Sequence, residues 1–306
     1  MPTPSIYAAR RFHGEKLPPS PARKGTWKLS SPIWKRNTVN YKIFGRIVCF
    51  TRGVASQRAP EELLELIKTA SESPLRVIKE ITNPHEIKRT LKVSILPWGD
   101  LCLHEYRWDP RRVALSPFRL SRGERTWHYY EEIQRNNIIV PEPLMLVELK
   151  TVFFTTITYV TTRWIDESLK LEEIALHENM PSSCNSESIL HACVDTIARL
   201  HNAGFVHGDL KWSNILVINE RDPRIVLTDL DALKKSSSAS LQSKDFARFL
   251  IAPANSSLSS ATIDLLIERY LKNRHTSRSF LNTTIRRYLA NNLSPHGKYG
   301  SCLPSQ

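Results

Sequence analysis

Long apolar runs are missing from this sequence. The longest uncharged stretch that leans apolar, residues 151–162 (TVFFTTITYVTT), is rich in threonine and well short of the roughly 20 residues a spanning helix needs. Residues 1–16 (MPTPSIYAARRFHGEK) lack the apolar segment of a secretory leader, and their prolines oppose an amphipathic targeting helix. Cysteine is scarce: five residues, an odd number with no C-x-x-C pair, argue against a disulfide framework and fit reduced thiols in the cytoplasm. There is no P-loop, no H-E-x-x-H and no G-x-S-x-G. His201 and His207 lie six apart without a Cys or acid at metal-site spacing, which disfavours zinc. No internal repeat is visible.

Acidic residues are also missing, but only from the ends. The 306 residues carry 43 Lys plus Arg against 30 Asp plus Glu, a formal charge of +13 that suggests nucleic acid or an anionic surface as partner. Residues 1–60 hold one acid, Glu15, and contribute +11; residues 269–306 hold none and contribute +7; the body between them is −5. Trp27 and Trp34 could stack on bases, but no RNA-binding module surrounds them, so no specific nucleic-acid partner is expected.

Proline and polar residues over 1–38 predict a flexible basic tail. Strand-like residues at 39–52 and a helix opening at Pro60 form an N-terminal extension. Short strands then follow at Leu75–Ile81, Ile87–Leu96 and Leu101–Trp108, with a turn at Pro97–Asp100. Ser121 opens a helix through an S-x-x-E capping box with Glu124 and carries Trp127, Tyr130 and Ile133. Two more strands are expected at Leu144–Leu149 and Val152–Val160. Beyond them the pattern turns helical, at Ser188–Ala203, 243–252 and a pair within 260–292 broken near Asn273–Ser277. The fold class is α+β with two lobes: a small β-rich N-lobe over 39–161 and a mainly helical C-lobe over 162–292, followed by a tail at 293–306.

Chemistry concentrates between Leu200 and Asp231. A loop reading H-G-D-L-K-W-S-N (His207–Asn214) precedes a strand, a turn and a second strand ending in T-D-L-D (Thr228–Asp231). Phosphoryl transfer needs a carboxylate to orient an attacking hydroxyl, and oxygen ligands for a cation that bridges nucleotide phosphates. An Asp, an amide five residues on, and a second Asp across a short hairpin can supply both. A polar hairpin loop satisfying its own backbone is the bland alternative.

This pattern resembles the catalytic loop and metal-binding Asp of the protein-kinase-like superfamily. The resemblance implies Asp209 as catalytic base, Lys211 as stabiliser of the transferring phosphoryl, Asn214 and Asp229 as metal ligands, and ATP with Mg²⁺ as cofactors. His207 would brace the loop. The segments Leu101–Trp108, Ser121–Trp127 and Ile138–Pro143, the D-L-D in place of D-F-G, and Lys244–Leu250 look like bacterial lipopolysaccharide core kinases, over roughly residues 75–255. That likeness implies a phosphotransferase acting on a sugar hydroxyl of the lipopolysaccharide inner core, with other hydroxylated acceptors also possible. It also suits a cytoplasmic enzyme, peripheral at the inner membrane, whose basic ends dock on an anionic leaflet at about 1 kcal/mol per Lys or Arg near the surface.

Three positions depart from the pattern. Where the family places a phosphate-pairing lysine, this sequence has His104, so activity is expected to be attenuated. No glycine-rich turn precedes it: Thr82-Asn83-Pro84-His85 has no glycine. Glu124 is either the carboxylate pairing with position 104 or the capping-box residue, with Glu131 competing for the pairing. His104 and Glu124 are accordingly the nucleotide-side positions. A pseudokinase-like binding protein, or a kinase of the aminoglycoside or choline type, are the alternatives. The short Ser-rich connector from Asp231 to Asp245 disfavours a protein kinase, and Asp245 is either a loop brace or an ordinary helix-start acid.

Overall fold

A computed structural model describes residues 40–44, 47–53, 60–83, 86–108, 113–114, 120–151, 154–176, 186–219, 222–251, 258–274 and 277–292. All lie within one compact unit, Asn37–Gln306. The tails expected at 1–38 and 293–306 fall outside the described residues.

The N-terminal half is a seven-stranded sheet in which every neighbouring pair is antiparallel. Its strands are β1 (Asn40–Phe44), β2 (Ile47–Gly53), β3 (Arg76–Asn83), β4 (Glu86–Ile95), β5 (Gly99–Trp108), β6 (Pro143–Thr151) and β7 (Phe154–Arg163), in the order β1-β2-β6-β7-β5-β4-β3. The strand-like run at 39–52 is a hairpin rather than one strand, and it widens the sheet by pairing β2 with β6. Alternation along β4 sends Leu91, Val93 and Ile95 to one face, where α1 (Pro60–Glu72) lays Leu63, Leu64 and Ile67 against them. The opposite face carries Lys88, Thr90 and Lys92.

Helix α2 (Arg122–Arg135) crosses that second face. Its cap is the expected one: Ser121 Oγ accepts the Glu124 amide at 2.9 Å. Gly123 permits the crossing, because a Cβ there would stand 2.2 Å from a methyl of Thr158 and 2.9 Å from one of Val160. Trp127 joins Tyr106, Leu146 and Val160 in a buried cluster beneath the sheet.

A short strand, β8 (Ser168–Lys170), and α3 (Leu171–Leu176) lead into the helical half. It holds α4 (Ser186–Asn202), β9 (Phe205–Val206), β10 (Ile215–Ile218), β11 (Arg224–Leu227), β12 (Lys234–Lys235), α5 (Ala239–Leu250), α6 (Ser260–Lys272) and α7 (Arg278–Asn292). One core binds these elements: Ile189, Cys193, Val194, Ile197 and Leu200 of α4 meet Phe246, Phe249 and Leu250 of α5 and Leu266, Ile267 and Tyr270 of α6. Tyr130, Ile133, Ile138 and Val140, from the end of α2 and the segment after it, belong to the same core. Among the described residues no helix is long and apolar enough to cross a membrane.

Candidate active site

The loop His207–Asn214 connects β9 to β10, and its shape is fixed from beneath by α5. Asp245, almost fully buried, accepts the backbone amides of His207 (2.8 Å) and Gly208 (2.9 Å) on its two carboxylate oxygens. His201 lies 3.2 Å from the same carboxylate through Nε2, and its Nδ1 is 2.6 Å from the Tyr270 hydroxyl. Burial holds His201 below its ordinary value, so at neutral pH the ring is uncharged: Nε2–H donates to Asp245 and Nδ1 accepts from Tyr270. Burial alone would raise the Asp245 carboxyl, but the hydrogen bonds from His201 and the loop outweigh it and hold it below the usual range. Of the two readings left open for Asp245, the structure selects the brace.

Gly208 sits at φ +83°, where a side chain is strained, and a Cβ would stand 2.5 Å from the Ala232 carbonyl. Only glycine lets the loop pass so close to the segment after Asp229. His207, fully buried, donates Nε2–H to the Thr228 carbonyl at 3.0 Å, which is the bracing contact its position suggested.

On this support Asp209, Lys211 and Asn214 converge. Asn214 Nδ2 donates to the Asp209 carboxylate at 3.1 Å and to its carbonyl at 2.8 Å; Lys211 Nζ lies 3.2 Å from the same carboxylate. The Asp209 and Lys211 side chains are each about one-third exposed, open to an incoming group. Thr228 then joins the loop to the second strand, donating both its amide (3.0 Å) and its hydroxyl (3.1 Å) to the Asn214 carbonyl. Asp229 follows at once, in a left-handed conformation (φ 54°, ψ 56°) that Asp tolerates better than most residues and that recurs at functional sites.

The sheet supplies the roof. Lys79 of β3 and Lys88 of β4 each place Nζ 3.2 Å from an Asp229 carboxylate oxygen. Lys88 also pairs with Asp231, which in turn accepts the Tyr106 hydroxyl. Burial would push the Asp229 carboxyl up, yet the Lys88 and Lys79 ammoniums hold it well below the usual carboxylate range. Desolvation works against the Lys88 charge, and Asp231 and Asp229 override it and raise its pKa. These contacts involve three residues given no role from the sequence, Lys79, Lys88 and Tyr106, and the second Asp of D-L-D, Asp231, which was noted only as part of that motif.

His104 and Glu124 do not join this set through any of these bonds. The His104 ring is buried, with Nδ1 3.3 Å from the Thr90 hydroxyl and Nε2 3.6 Å from the Cys102 sulfur, and it stacks with Tyr106. Burial opposes its charge, but Cys102, Asp231 and Asp229 outweigh that and lift its pKa to about 9. The Glu124 amide serves the cap of α2, and Glu131 accepts the Trp127 indole N–H at 3.1 Å. The lysines that reach Asp229 from the sheet come from β3 and β4, not from β5.

A sequence profile of the lipopolysaccharide kinase (Kdo/WaaP) family matches residues 111–270. No curated protein matches. Among solved structures the chain is similar to WaaP in complex with acyl carrier protein, at 13% identity and TM-score 0.55, over 76% of this chain and 92% of that one. It also aligns with the PknI kinase domain of Mycobacterium tuberculosis (13% identity, TM-score 0.36, 70% of this chain and 94% of that one). A third match is the PAN3 pseudokinase of Neurospora crassa (18% identity, TM-score 0.36, 76% and 69%). The likeness to WaaP establishes a protein-kinase-like fold with a β-sheet N-lobe and a helical C-lobe.

Proposed function

The chain belongs to the lipopolysaccharide kinase (Kdo/WaaP) family, and from that membership we propose that it transfers the terminal phosphoryl group of ATP to a sugar hydroxyl of the lipopolysaccharide inner core. The observation that carries the site assignment is the bonded series Asp209–Asn214–Thr228–Asp229, which links a partly open carboxylate to a second, charge-held one.

Each residue's part follows from its contacts. Asp209, steadied by Asn214 Nδ2, receives the acceptor's hydroxyl proton and aligns its oxygen. Lys211, paired with the same carboxylate, meets the negative charge on the transferring group. Among the described residues no three His, Cys, Asp or Glu gather as a metal cage. Mg²⁺ does not need one, since it usually takes one or two carboxylates and completes its shell with phosphate and water. The Asp229 carboxylate and the Asn214 amide oxygen fit that demand, because Asn214 has committed its Nδ2 to Asp209 and Asp229 already lies between two cations. When bound, the ion would neutralise phosphate charge.

An anionic leaflet is the proposed docking surface, because the positive charge resides in residues 1–60 and 269–306 while the body is acidic. The solved WaaP complex contains acyl carrier protein, and co-purification from the native host would test whether this chain takes a similar protein partner. The direct test of function pairs two measurements. Mg²⁺-ATP should raise the melting temperature of wild type but not of Asp229→Ala, and labelled terminal phosphate should pass to core oligosaccharide in wild type but not in Asp209→Ala. Absence of both nucleotide binding and transfer in wild type overturns the proposal.

A further inference from the structure

The buried cation nearest the proposed phosphate site stands on a different strand from the one that the family pattern suggests. We propose that Lys88 of β4 is the phosphate-holding lysine of this chain, in place of a lysine at the His104 position of β5. This inference rests on the kinase reading above and names the residue that completes it.

The register explains how the exchange is possible. β4 and β5 are adjacent and antiparallel, with Thr90 opposite His104 and Lys88 opposite Tyr106, so Lys88, His104 and Tyr106 share one face of the sheet. Neighbouring strands lie about 4.8 Å apart, a gap that the four-carbon stem of lysine spans. An ammonium started one strand across and two residue pairs along therefore still arrives at Asp229, where Lys88 Nζ stands at 3.2 Å. His104 cannot follow it there while its two ring nitrogens face Thr90 and Cys102 on the sheet itself.

Burial separates Lys88 from the other cation of the roof. Its side chain is 8% exposed against 36% for Lys79. A lysine so enclosed normally has its charge matched and its position fixed, and Asp231, itself held by the Tyr106 hydroxyl, does both. The carboxylate pair divides the work. Asp229 is the partner that nucleotide phosphate and its cation would draw away, and Asp231 keeps the ammonium in place when that happens. The second Asp of D-L-D, which replaces the glycine of D-F-G, thereby acquires a purpose: it anchors a lysine that enters from an unusual strand. The turn before β4 has no glycine to present backbone amides to phosphate, so charge from Lys88 takes over that attraction as well. On this reading His104 carries no catalytic penalty.

The experiment uses the full chain and two readouts besides turnover. Lys88→Met should weaken ATP affinity, read by titration calorimetry, at least tenfold, while Lys79→Met changes it no more than threefold. An acyl phosphate of ATP should acylate Lys88, its amine attacking the acyl carbonyl to form an amide as ATP departs; peptide mass spectrometry should find this modification, and excess ATP should suppress it. A folded Lys88→Met protein that binds ATP within twofold of wild type overturns the proposal. So does acylation that spares Lys88 and falls on Lys79 or Lys211, a result that remains decisive if the variant fails to fold. Wild type that binds no ATP overturns the kinase reading instead.

Discussion

The two sides of the cleft are built by different means. The floor, from His207 to Asn214, is backbone pinned at successive points: two loop amides on the Asp245 carboxylate, a glycine pressed against the Ala232 carbonyl, and Thr228 donating its amide and its hydroxyl to the Asn214 carbonyl. The roof is side chain held by side chain: Lys79, Lys88 and Tyr106 reach down from a sheet to Asp229 and Asp231. A floor of that kind tolerates little change in sequence, because each contact needs a particular atom at a particular place in the chain. A roof of long side chains tolerates exchange between strands, because one ammonium can be delivered from several starting points. The family match has the same asymmetry, covering the whole floor and none of β3 to β5.

The sharpest way to separate the two sides is Asp209→Asn. It should lower kcat by about 10³-fold, within the range for loss of a general base, and leave ATP affinity within threefold by calorimetry. A parallel loss of affinity would erase the distinction. Asp245→Asn removes the charge that the two loop amides and His201 share. Denaturant titration should show a loss of about 3 kcal/mol, with kcat falling more than KM changes. Gly208→Ala should cost about 2 kcal/mol in the same titration, since it combines a left-handed φ with a carbonyl clash.

A smaller effect is expected from pH. The folded chain disfavours a proton on His201, whereas the unfolded chain accepts one below about pH 6.5. Stability should therefore fall as pH drops from 6.5 toward 5. The depressed Asp245 adds a loss in the same direction below about pH 4, as its carboxylate is protonated. Melting curves across this range should show a shallower acid slope for His201→Gln. The smallest change belongs to a surface pair away from both sides of the cleft: Lys235→Ala, which removes a solvent-exposed pair between β12 and Glu132 of α2, should alter stability by less than about 0.5 kcal/mol.

The same contrast accounts for what could be read in the sequence. Asp209, Asn214 and Asp229 were visible because the floor requires fixed spacing along one short segment, and the helix after Ser121 was visible because its cap is local. Lys88 was not, because nothing local distinguishes a strand lysine facing a buried aspartate from one facing water. Its only trace was the alternation that sets Lys88, Thr90 and Lys92 opposite Leu91, Val93 and Ile95, and a register was needed to place Lys88 beside His104. The hairpin at 40–53 escaped for a related reason: its strands are continuous in composition, and their separation emerges only through the partners each one finds. Asp245 lay between, with its type and helix recognised while its two amide partners, 37 and 38 residues away, were not.

Helix α2 is fastened at both ends, by Gly123 against the methyls of β7 and by Tyr130, Ile133, Ile138 and Val140 inside the helical core. Just beyond it Ile139 bridges to Val226, its carbonyl accepting the Leu227 amide at 3.1 Å. A rod so seated cannot swing outward without tearing both lobes. The sheet and the helical half are thereby riveted to one rod, and α2 is a fixed tie between the two sides of the cleft.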